Sequence, residues 1–265
     1  MTDTTIEDLE AFRARARRWI ESTLPSDDDP PADARTLQRT MFDCGFAGIP
    51  FPTEYGGAGL TLEHQQVFYD TAADLRRQTP TGSLLRVSLF MLGPTILDHG
   101  SDEAKRRFLP PLLRADEVWV QLLSEPRGGS DMAGATTRLT RDGDSFVLSG
   151  AKMWTTNANS ADYGLCLCRS DWDVPKHRGL AMISVPLCAP GVTIGAAGVV
   201  WESEDQDLAN PGTGWLVARG GTLAGGSNEM QRNIISERLL GFPREPSVDR
   251  DVPFRDVVTN QPKPS

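Results

Sequence analysis

The order of local sequence patterns predicts an α+β fold, in which helices come first, a small antiparallel sheet follows and one more helix comes last. Up to about residue 115, apolar residues recur at the spacing of one helix face. Between 117 and 194 the segments are short, rich in β-branched and aromatic residues, and separated by turns. Helices and strands do not alternate, so a parallel sheet built from βαβ units is not indicated. We therefore predict a helical domain at 1–115, a central β domain at 116–200 and a C-terminal segment at 201–265.

Helical patterns fill the first domain, and Pro or Gly residues mark their ends. In the first pattern, at 1–24, Thr4 and Glu7 have the spacing of a capping box, and Pro25 follows its last turn. The later patterns cover 32–44, 61–77, 83–98 and 102–114. The third of these is expected to break or kink near Gly93-Pro94, because proline removes a helix hydrogen bond.

Strand patterns and turns fill the second domain. Asp142-Gly143-Asp144 is typical of a hairpin turn. Strand patterns cover 146–148, 163–169, 179–185 and 192–194, and a further stretch ends at 153–156. A last helix is predicted at 228–240, and the Pro-rich tail from 242 is expected to be irregular.

Composition excludes several classes of function. The 265 residues carry a net charge of -9, which disfavours a nucleic-acid partner or a polybasic membrane surface. No run of about 18 apolar residues is present, and the N-terminus lacks the basic and apolar regions of a signal peptide. The four cysteines match no disulfide framework. A cytoplasmic protein with no membrane partner is therefore expected.

Common catalytic and metal motifs do not explain this chain. No GxGxxG follows a strand pattern, no phosphate-binding GxxxxGK[ST] occurs, and the three histidines match no zinc spacing. Ser149 and Lys152 match SxxK formally, but they lie in a predicted strand and lack the companion motifs. Cys166 and Cys168 share one face of a predicted strand, which favours packing in the core over metal or redox chemistry.

Three segments are better candidates for ligand binding. QLLSEPRGGSD at 121–131 combines a hydroxyl, a carboxylate and two glycines in a turn that can present backbone N–H groups, although it could equally be an ordinary loop. AGGSNEMQRN at 224–233 places a glycine turn before a helix N-terminus, which suits an anion or simply starts a helix. Trp154, on a predicted strand and beside two threonines, suits a flat polar ring such as a flavin, or packs in the core.

Taken together and in order, five motifs of this chain resemble the acyl-CoA dehydrogenase family, and most closely its actinobacterial branch of fatty-acid and sterol degradation. The motifs are FPTEYGGAGL at 51–60, LGPTILDHGSDEAKRRFLPPLL at 92–113, SEPRGGSDMAG at 124–134, GAKMWTTNA at 150–158 and GGSNEMQRNIISERLLGFPRE at 225–245. The resemblance implies an N-terminal helical domain, a central β domain, a C-terminal four-helix domain and non-covalently bound FAD. The order of helices and strands inferred above agrees with it independently.

The resemblance also implies a set of cofactor contacts and a reaction. The residues at the matching FAD-contact positions are Gln121, Leu123, Ser124, Ser130, Trp154, Thr155, Thr156, Ser227 and Glu229. Thr156 would donate to flavin N5. The implied reaction is the α,β-dehydrogenation of an acyl-CoA thioester, in which a carboxylate removes the α-proton, a hydride passes to the flavin, and an electron-transfer flavoprotein accepts the electrons.

The same resemblance predicts that most of the C-terminal helical domain is deleted. Only residues 195–224 separate the last strand pattern from the final motif, where the family has several helices. The position of the usual catalytic glutamate is Gly225, so the catalytic base is unknown. Besides an internally truncated dehydrogenase with a vestigial last helix, this pattern allows a non-catalytic subunit that binds FAD and acyl-CoA beside a full-length homologue. A gene remnant or mis-assembled sequence, and a related flavin-dependent oxidase or monooxygenase on the same fold, also stay open. A homo- or hetero-oligomer is expected.

Overall fold

The computed structural model describes residues 6–80, 83–126, 128–195, 234, 237–239 and 249–257. The chain forms two compact units. Of the described residues, the first unit contains those up to 121 together with 156–164 and 185–194, and the second contains those of 122–155, 165–184 and the ranges after 194. Most of the predicted last helix, together with Gly225, Ser227 and Glu229, lies outside the described residues.

The described part of the first unit contains α-helices at each position where the sequence predicts them. Their bounds are α1 Leu9–Thr23, α2 Ala34–Asp43, α3 Leu62–Asp74, α4 Ser83–Val87, α5 Gly93–His99 and α6 Asp102–Leu113. None of the helices in the described ranges has both the length and the apolar character that a membrane-spanning segment needs.

Helix α1 begins at a different cap from the one the sequence predicts. The Asp8 carboxylate accepts hydrogen bonds from the backbone N–H groups of Glu10 and Ala11, each at 3.2 Å. The predicted capping box of Thr4 and Glu7 is therefore wrong, because the Asp8 side chain already satisfies the first free donors of the helix. Helix α3 does start with a capping box, in which the His64 N–H donates to Thr61 Oγ1 and the Thr61 N–H donates to His64 Nδ1, each at 3.4 Å.

A π-helical turn at Ser88–Leu92 joins α4 to α5 directly before Gly93-Pro94, so the predicted break is confirmed. The buried Ser88 hydroxyl donates to the carbonyl of Trp119 at 2.7 Å and accepts from its N–H at 2.8 Å. The turn thereby holds the start of the first strand against the helices. Trp119 in turn stacks on Tyr163, with ring centroids 4.8 Å apart.

The core of the helical part is an aromatic and aliphatic cluster between α1, α2 and α3. Phe12, Ile20, Met41 and Phe68 are fully buried. Phe46, in the loop after α2, stacks on Phe68 with centroids 5.3 Å apart. Because fully buried aromatic rings contribute most to such a core, this cluster sets the stability of the helical unit.

The sheet follows the helices in the sequence. Its described strands are β1 Trp119–Leu122, β2 Arg138–Asp142, β3 Ser145–Ser149, β4 Tyr163–Arg169 and β5 Leu180–Pro186. The strand order is β1-β4-β2-β3, with β5 paired to β4. The predicted hairpin is confirmed, since β2 and β3 pair antiparallel around Gly143, whose φ is +61°. The pairing of β2 with β4 is parallel, so the prediction of an antiparallel sheet holds for the hairpin and not for this contact.

Two strand predictions are wrong. Residues 192–194 form no strand, and 153–156 form an irregular segment. In both places aromatic or β-branched residues favour a strand locally, but the backbone N–H groups donate to carbonyls outside a strand ladder. Val192 N–H, for example, donates to the carbonyl of Ala189 in a turn.

A buried arginine organises the far end of β4 in the second unit. Arg169 is fully buried, and its guanidinium donates to the backbone carbonyls of Ala133, Ala135 and Lys176. The Arg169 Cζ lies 3.6 Å from the centre of the Phe254 ring, which covers one face of the guanidinium. Burial lowers the pKa of Arg169, although the group stays charged.

Phe254 belongs to a C-terminal segment at 249–257 that docks on the second unit. Phe254 N–H donates to the carbonyl of Val174 at 2.9 Å, and Arg255 N–H donates to the carbonyl of Trp172 at 3.1 Å. A short 3-10 turn covers Phe254–Asp256. The sequence predicts an irregular tail. Residues 249–257 are instead held in place by backbone hydrogen bonds to residues 172 and 174, which no local sequence pattern predicts.

We predict that Phe68→Ala lowers the free energy of unfolding by about 3–5 kcal/mol, because it removes a fully buried ring from the core cluster. Urea unfolding followed by far-ultraviolet circular dichroism measures this change. Phe90→Ala is the matched control, since the Phe90 ring is 45% exposed, and it is expected to cost less than about 1 kcal/mol. Equal losses in the two variants would contradict the assignment of the core.

Candidate functional site

The second unit brings two of the predicted ligand-binding segments side by side. The backbone N–H of Met153 donates to the carbonyl of Ser124 at 2.9 Å. The ammonium group of Lys152 donates to the carbonyl of Leu123 at 3.1 Å. Leu123 and Ser124 therefore lie directly beside the residues that precede Trp154.

The carboxylate of Glu125 holds this arrangement together. Its Oε1 accepts from Lys152 Nζ and from the Thr137 N–H, each at 2.9 Å. Its Oε2 accepts from the N–H of Thr136 at 2.8 Å and from the Thr136 hydroxyl at 2.7 Å. A carboxylate offers about four lone-pair sites for hydrogen bonds. These four bonds therefore occupy the acceptor sites of Glu125.

Glu125 and Lys152 form a buried ion pair. Their side chains are 7% and 8% exposed, respectively. Burial by itself would raise the pKa of Glu125, but the hydrogen bonds from Lys152, Thr136 and Thr137 outweigh burial and lower the pKa to about 2. The carboxylate is therefore ionised at any physiological pH.

The backbone of Glu125 also closes a tight turn. Its N–H donates to the carbonyl of Gly128 at 3.0 Å, and the Gly128 N–H donates back at 3.1 Å. Gly128, Gly129 and Ser130 after the turn are exposed. The exposed glycines and the predicted contact Ser130 therefore follow a turn that is anchored through Glu125.

Trp154 is not on a strand, which corrects the sequence-based interpretation. Its backbone has φ of +59°, a left-handed conformation that costs free energy for a bulky residue. Its indole is 67% exposed. A strained backbone that holds a large aromatic ring at the surface is a feature of binding sites rather than of core packing.

The remaining predicted contacts are distributed over the chain. Gln121 and Thr156 fall in the first unit, whereas Ser130 and Thr155 belong to the second together with the paired segments. Thr155 is half-buried and Thr156 is exposed. Among the predicted FAD contacts, the hydrogen bonds described above connect two segments. One contains Leu123 and Ser124, and the other leads to Trp154.

The alternative chemistry weighed for this region is not supported. Lys152 is paired with Glu125, so it does not act as the base of an SxxK site for Ser149, which is exposed at the end of β3. Cys166 and Cys168 are buried, as the packing interpretation expects, and burial raises the pKa of the Cys166 thiol to about 11. Within the described ranges, no group of three or more potential metal ligands is assembled.

Sequence reasoning missed the Glu125–Lys152 pair. Both residues stand in quoted motifs, but they are 27 positions apart, and no periodicity links them. One sequence feature could have indicated the pair. Glu125 and Lys152 are each flanked by small or apolar residues, and each lies in a segment that carries candidate contacts.

Two family models match the chain. The N-terminal domain of acyl-CoA dehydrogenases matches residues 6–116, and the middle domain matches residues 121–202. The acyl-CoA dehydrogenase IpdE1 of Mycobacterium tuberculosis is 31% identical over 266 residues, covering 89% of this chain and 68% of IpdE1. The chain belongs to the acyl-CoA dehydrogenase family. Members of this family are flavoproteins that generally bind FAD.

Solved structures share the fold of this acyl-CoA dehydrogenase homologue. The steroid ACAD Tcur3481-Tcur3483 matches with a TM-score of 0.55 and 34% identity over 69% of this chain and 48% of that one. The ChsE4-ChsE5 complex from Mycobacterium tuberculosis matches with a TM-score of 0.54 and 31% identity over 72% of this chain and 49% of that one. The chain therefore spans about half the length of these solved relatives, and it has the family's N-terminal helices and central sheet while lacking most of the C-terminal domain.

The residues around Trp154 fit the ring system of FAD. Exposed Trp154 offers a flat apolar face, and Leu123 and Ser124, which are bonded to the two residues before Trp154, are only half-buried. Flat aromatic groups pack in offset or edge arrangements on such faces. All three residues, Leu123, Ser124 and Trp154, belong to the second unit.

We predict that Glu125→Gln reduces stability in a pH-dependent way. Because folding lowers the pKa of Glu125 from 4.5 to about 2, its stabilising contribution is complete above the higher value and is lost as pH falls through the lower one. Near neutral pH the variant should be less stable by about 3 kcal/mol, and the difference should shrink as pH falls across that window. Urea unfolding at a series of pH values measures it.

The matched control is Asp131→Asn, which removes a carboxylate that is 61% exposed and paired with Lys176. An exposed pair contributes under about 1 kcal/mol. If the Glu125→Gln deficit stayed constant as the solution was acidified, the interpretation of Glu125 as a strongly bound carboxylate would be wrong.

Proposed function

We propose that this chain binds FAD in its second unit and takes part in the α,β-dehydrogenation of an acyl-CoA thioester, in fatty-acid or sterol side-chain degradation. The observation that carries the proposal is the alignment of Leu123 and Ser124 with the segment that presents the exposed, strained Trp154. Family membership supports the reaction class. The proposed location is the cytoplasm, with an electron-transfer flavoprotein as the electron acceptor.

In this proposal each contact residue has a definite task. Trp154 packs on the flavin ring and excludes water from that face, while Leu123 and Ser124 contact an edge of the ring. Ser130 and Thr155, in the same unit, are further proposed contacts. The contacts that the family resemblance implies at Gln121, Thr156, Ser227 and Glu229 stay predictions from that resemblance, with Thr156 as the implied hydrogen-bond donor to the ring. Bound FAD would supply the hydride acceptor that the protein itself lacks.

The proton-removing base is not assigned to this site. By the resemblance of the last motif, the family's glutamate position is Gly225, and glycine cannot accept a proton. Glu125 is unsuited as well, because a general base needs a pKa near the working pH, and the pKa of Glu125 is held at about 2 with its lone pairs already bonded. Dehydrogenation by this protein therefore requires a carboxylate from another part of the chain or from a partner.

A second candidate function is a subunit that binds FAD and acyl-CoA beside a full-length homologue, which supplies the base and the missing helices. Two observations favour it: the glycine at position 225, and solved relatives that pair two proteins, Tcur3481 with Tcur3483 and ChsE4 with ChsE5. In this case the chain is half of a hetero-oligomer rather than a complete enzyme.

Two measurements separate these functions. The purified chain is analysed for bound flavin, and ferrocenium reduction is followed with acyl-CoAs of increasing chain length and with a steroid side-chain CoA ester. Bound flavin with turnover supports the complete enzyme, and bound flavin with turnover only after co-expression with a full-length homologue supports the partner. A chain that is colourless alone and in co-expression, and does not take up added FAD, would refute both.

We predict that Trp154→Ala weakens FAD binding by about tenfold, which corresponds to about 1.4 kcal/mol, because the ring loses its aromatic packing surface. Titration of the flavin-free chain with FAD, followed by quenching of flavin fluorescence, measures the dissociation constant. Phe146→Ala is the matched control, since Phe146 is also an exposed aromatic residue, at 57% against 67% for Trp154, and lies on the β2–β3 hairpin. Unchanged affinity in Trp154→Ala would remove Trp154 from the site.

A further inference from the structure

We propose that Glu125 and Lys152 are a positioning pair, which aligns the two ring-contact segments and, by having no net charge, sets the reduction potential of the flavin bound beside them. This inference rests on the proposed FAD site. Neither residue is among the FAD contacts that the sequence predicts, and neither is a catalytic residue, because their polar atoms are bonded within the protein.

The alignment follows from the donors of one ammonium group. Lys152 Nζ donates both to the backbone carbonyl of Leu123 and to the carboxylate of Glu125, which are two residues apart. The next residue, Met153, donates its N–H to Ser124, so three consecutive residues of one segment are bonded to two consecutive residues of the other. The backbone then enters the left-handed conformation at Trp154. An apolar side chain at position 152 could fill the same volume, but it could not bind Leu123.

Thr136 and Thr137 fix the other end of the pair. Their backbone N–H groups and the Thr136 hydroxyl bind the Glu125 carboxylate just before β2. Lys152 is thereby connected to the sheet through Glu125. The segments that carry Leu123, Ser124 and Trp154 are therefore anchored to the sheet as well. Precise sites need this kind of support from hydrogen-bonded neighbours.

The charge argument follows from burial. Both side chains are more than nine-tenths buried, so water screens them poorly, and together they carry no net charge. Loss of the carboxylate leaves a positive charge close to Ser124 and Trp154, and loss of the ammonium leaves a negative one. A positive charge stabilises the reduced flavin, which gains electrons, and a negative charge destabilises it.

The reduction potential of the FAD-loaded protein tests the proposal. Glu125→Gln should raise the midpoint potential, Lys152→Met should lower it, and the double variant, which carries no unpaired charge, should return close to the parent value. Lys176→Met is the control, because Lys176 pairs with the exposed Asp131 in the same unit, and it should leave the potential unchanged. Shifts of the same sign in both single variants, or no shift, would refute the electrostatic role.

Amide hydrogen exchange tests the alignment without flavin. In the flavin-free chain, Lys152→Met should speed exchange at the Met153 N–H by about tenfold or more, because the segment loses its anchor to Leu123 and Glu125. Lys176→Met should not. Exchange that is unchanged in Lys152→Met would refute the positioning role, whereas a chain that binds no FAD and still shows faster exchange would refute the proposed function alone.

Discussion

The carboxylate of Glu125 accepts bonds from residues 11, 12 and 27 positions further along the chain, and the candidate site depends on that convergence. A buried ion pair is costly to form, and a well-packed apolar pair of similar volume is often at least as stable. What apolar residues cannot provide is direction. The pair connects the turn at Glu125, the start of β2 and the segment before Trp154. Its main effect is therefore to fix the relative positions of these segments rather than to add stability.

Local patterns were sufficient where local forces decide the structure. The spacing of apolar residues located α6 within one residue of its observed bounds, and β4 runs over the same residues as its strand pattern, Tyr163–Arg169. In α6 one apolar face is buried, and in β4 both faces are buried, so the pattern of apolar residues was sufficient whatever residues lie opposite. The hairpin at Gly143 was equally predictable, because its turn requires a positive φ.

Sequence reasoning failed where a distant partner decides the structure. The residues around Trp154 have strand-forming side chains, yet the backbone bond to Ser124 and the left-handed φ override that preference. Arg169 was not singled out, because a charged residue at the end of an apolar strand normally reaches solvent. The predicted FAD contacts stay predictions, since their positions come from the family and not from bonds among the described residues.

The docked segment at 249–257 has a consequence for how this chain and its relatives differ in length. Phe254 lies on Arg169, and Gly195 and Asp249, the described residues on either side of 196–248, both belong to the second unit. The entropy of loop closure grows only with the logarithm of length, so doubling a loop costs about 0.6 kcal/mol. Adding or removing a block of helices between these ends therefore changes the chemistry available to the protein far more than it changes the stability of the β unit.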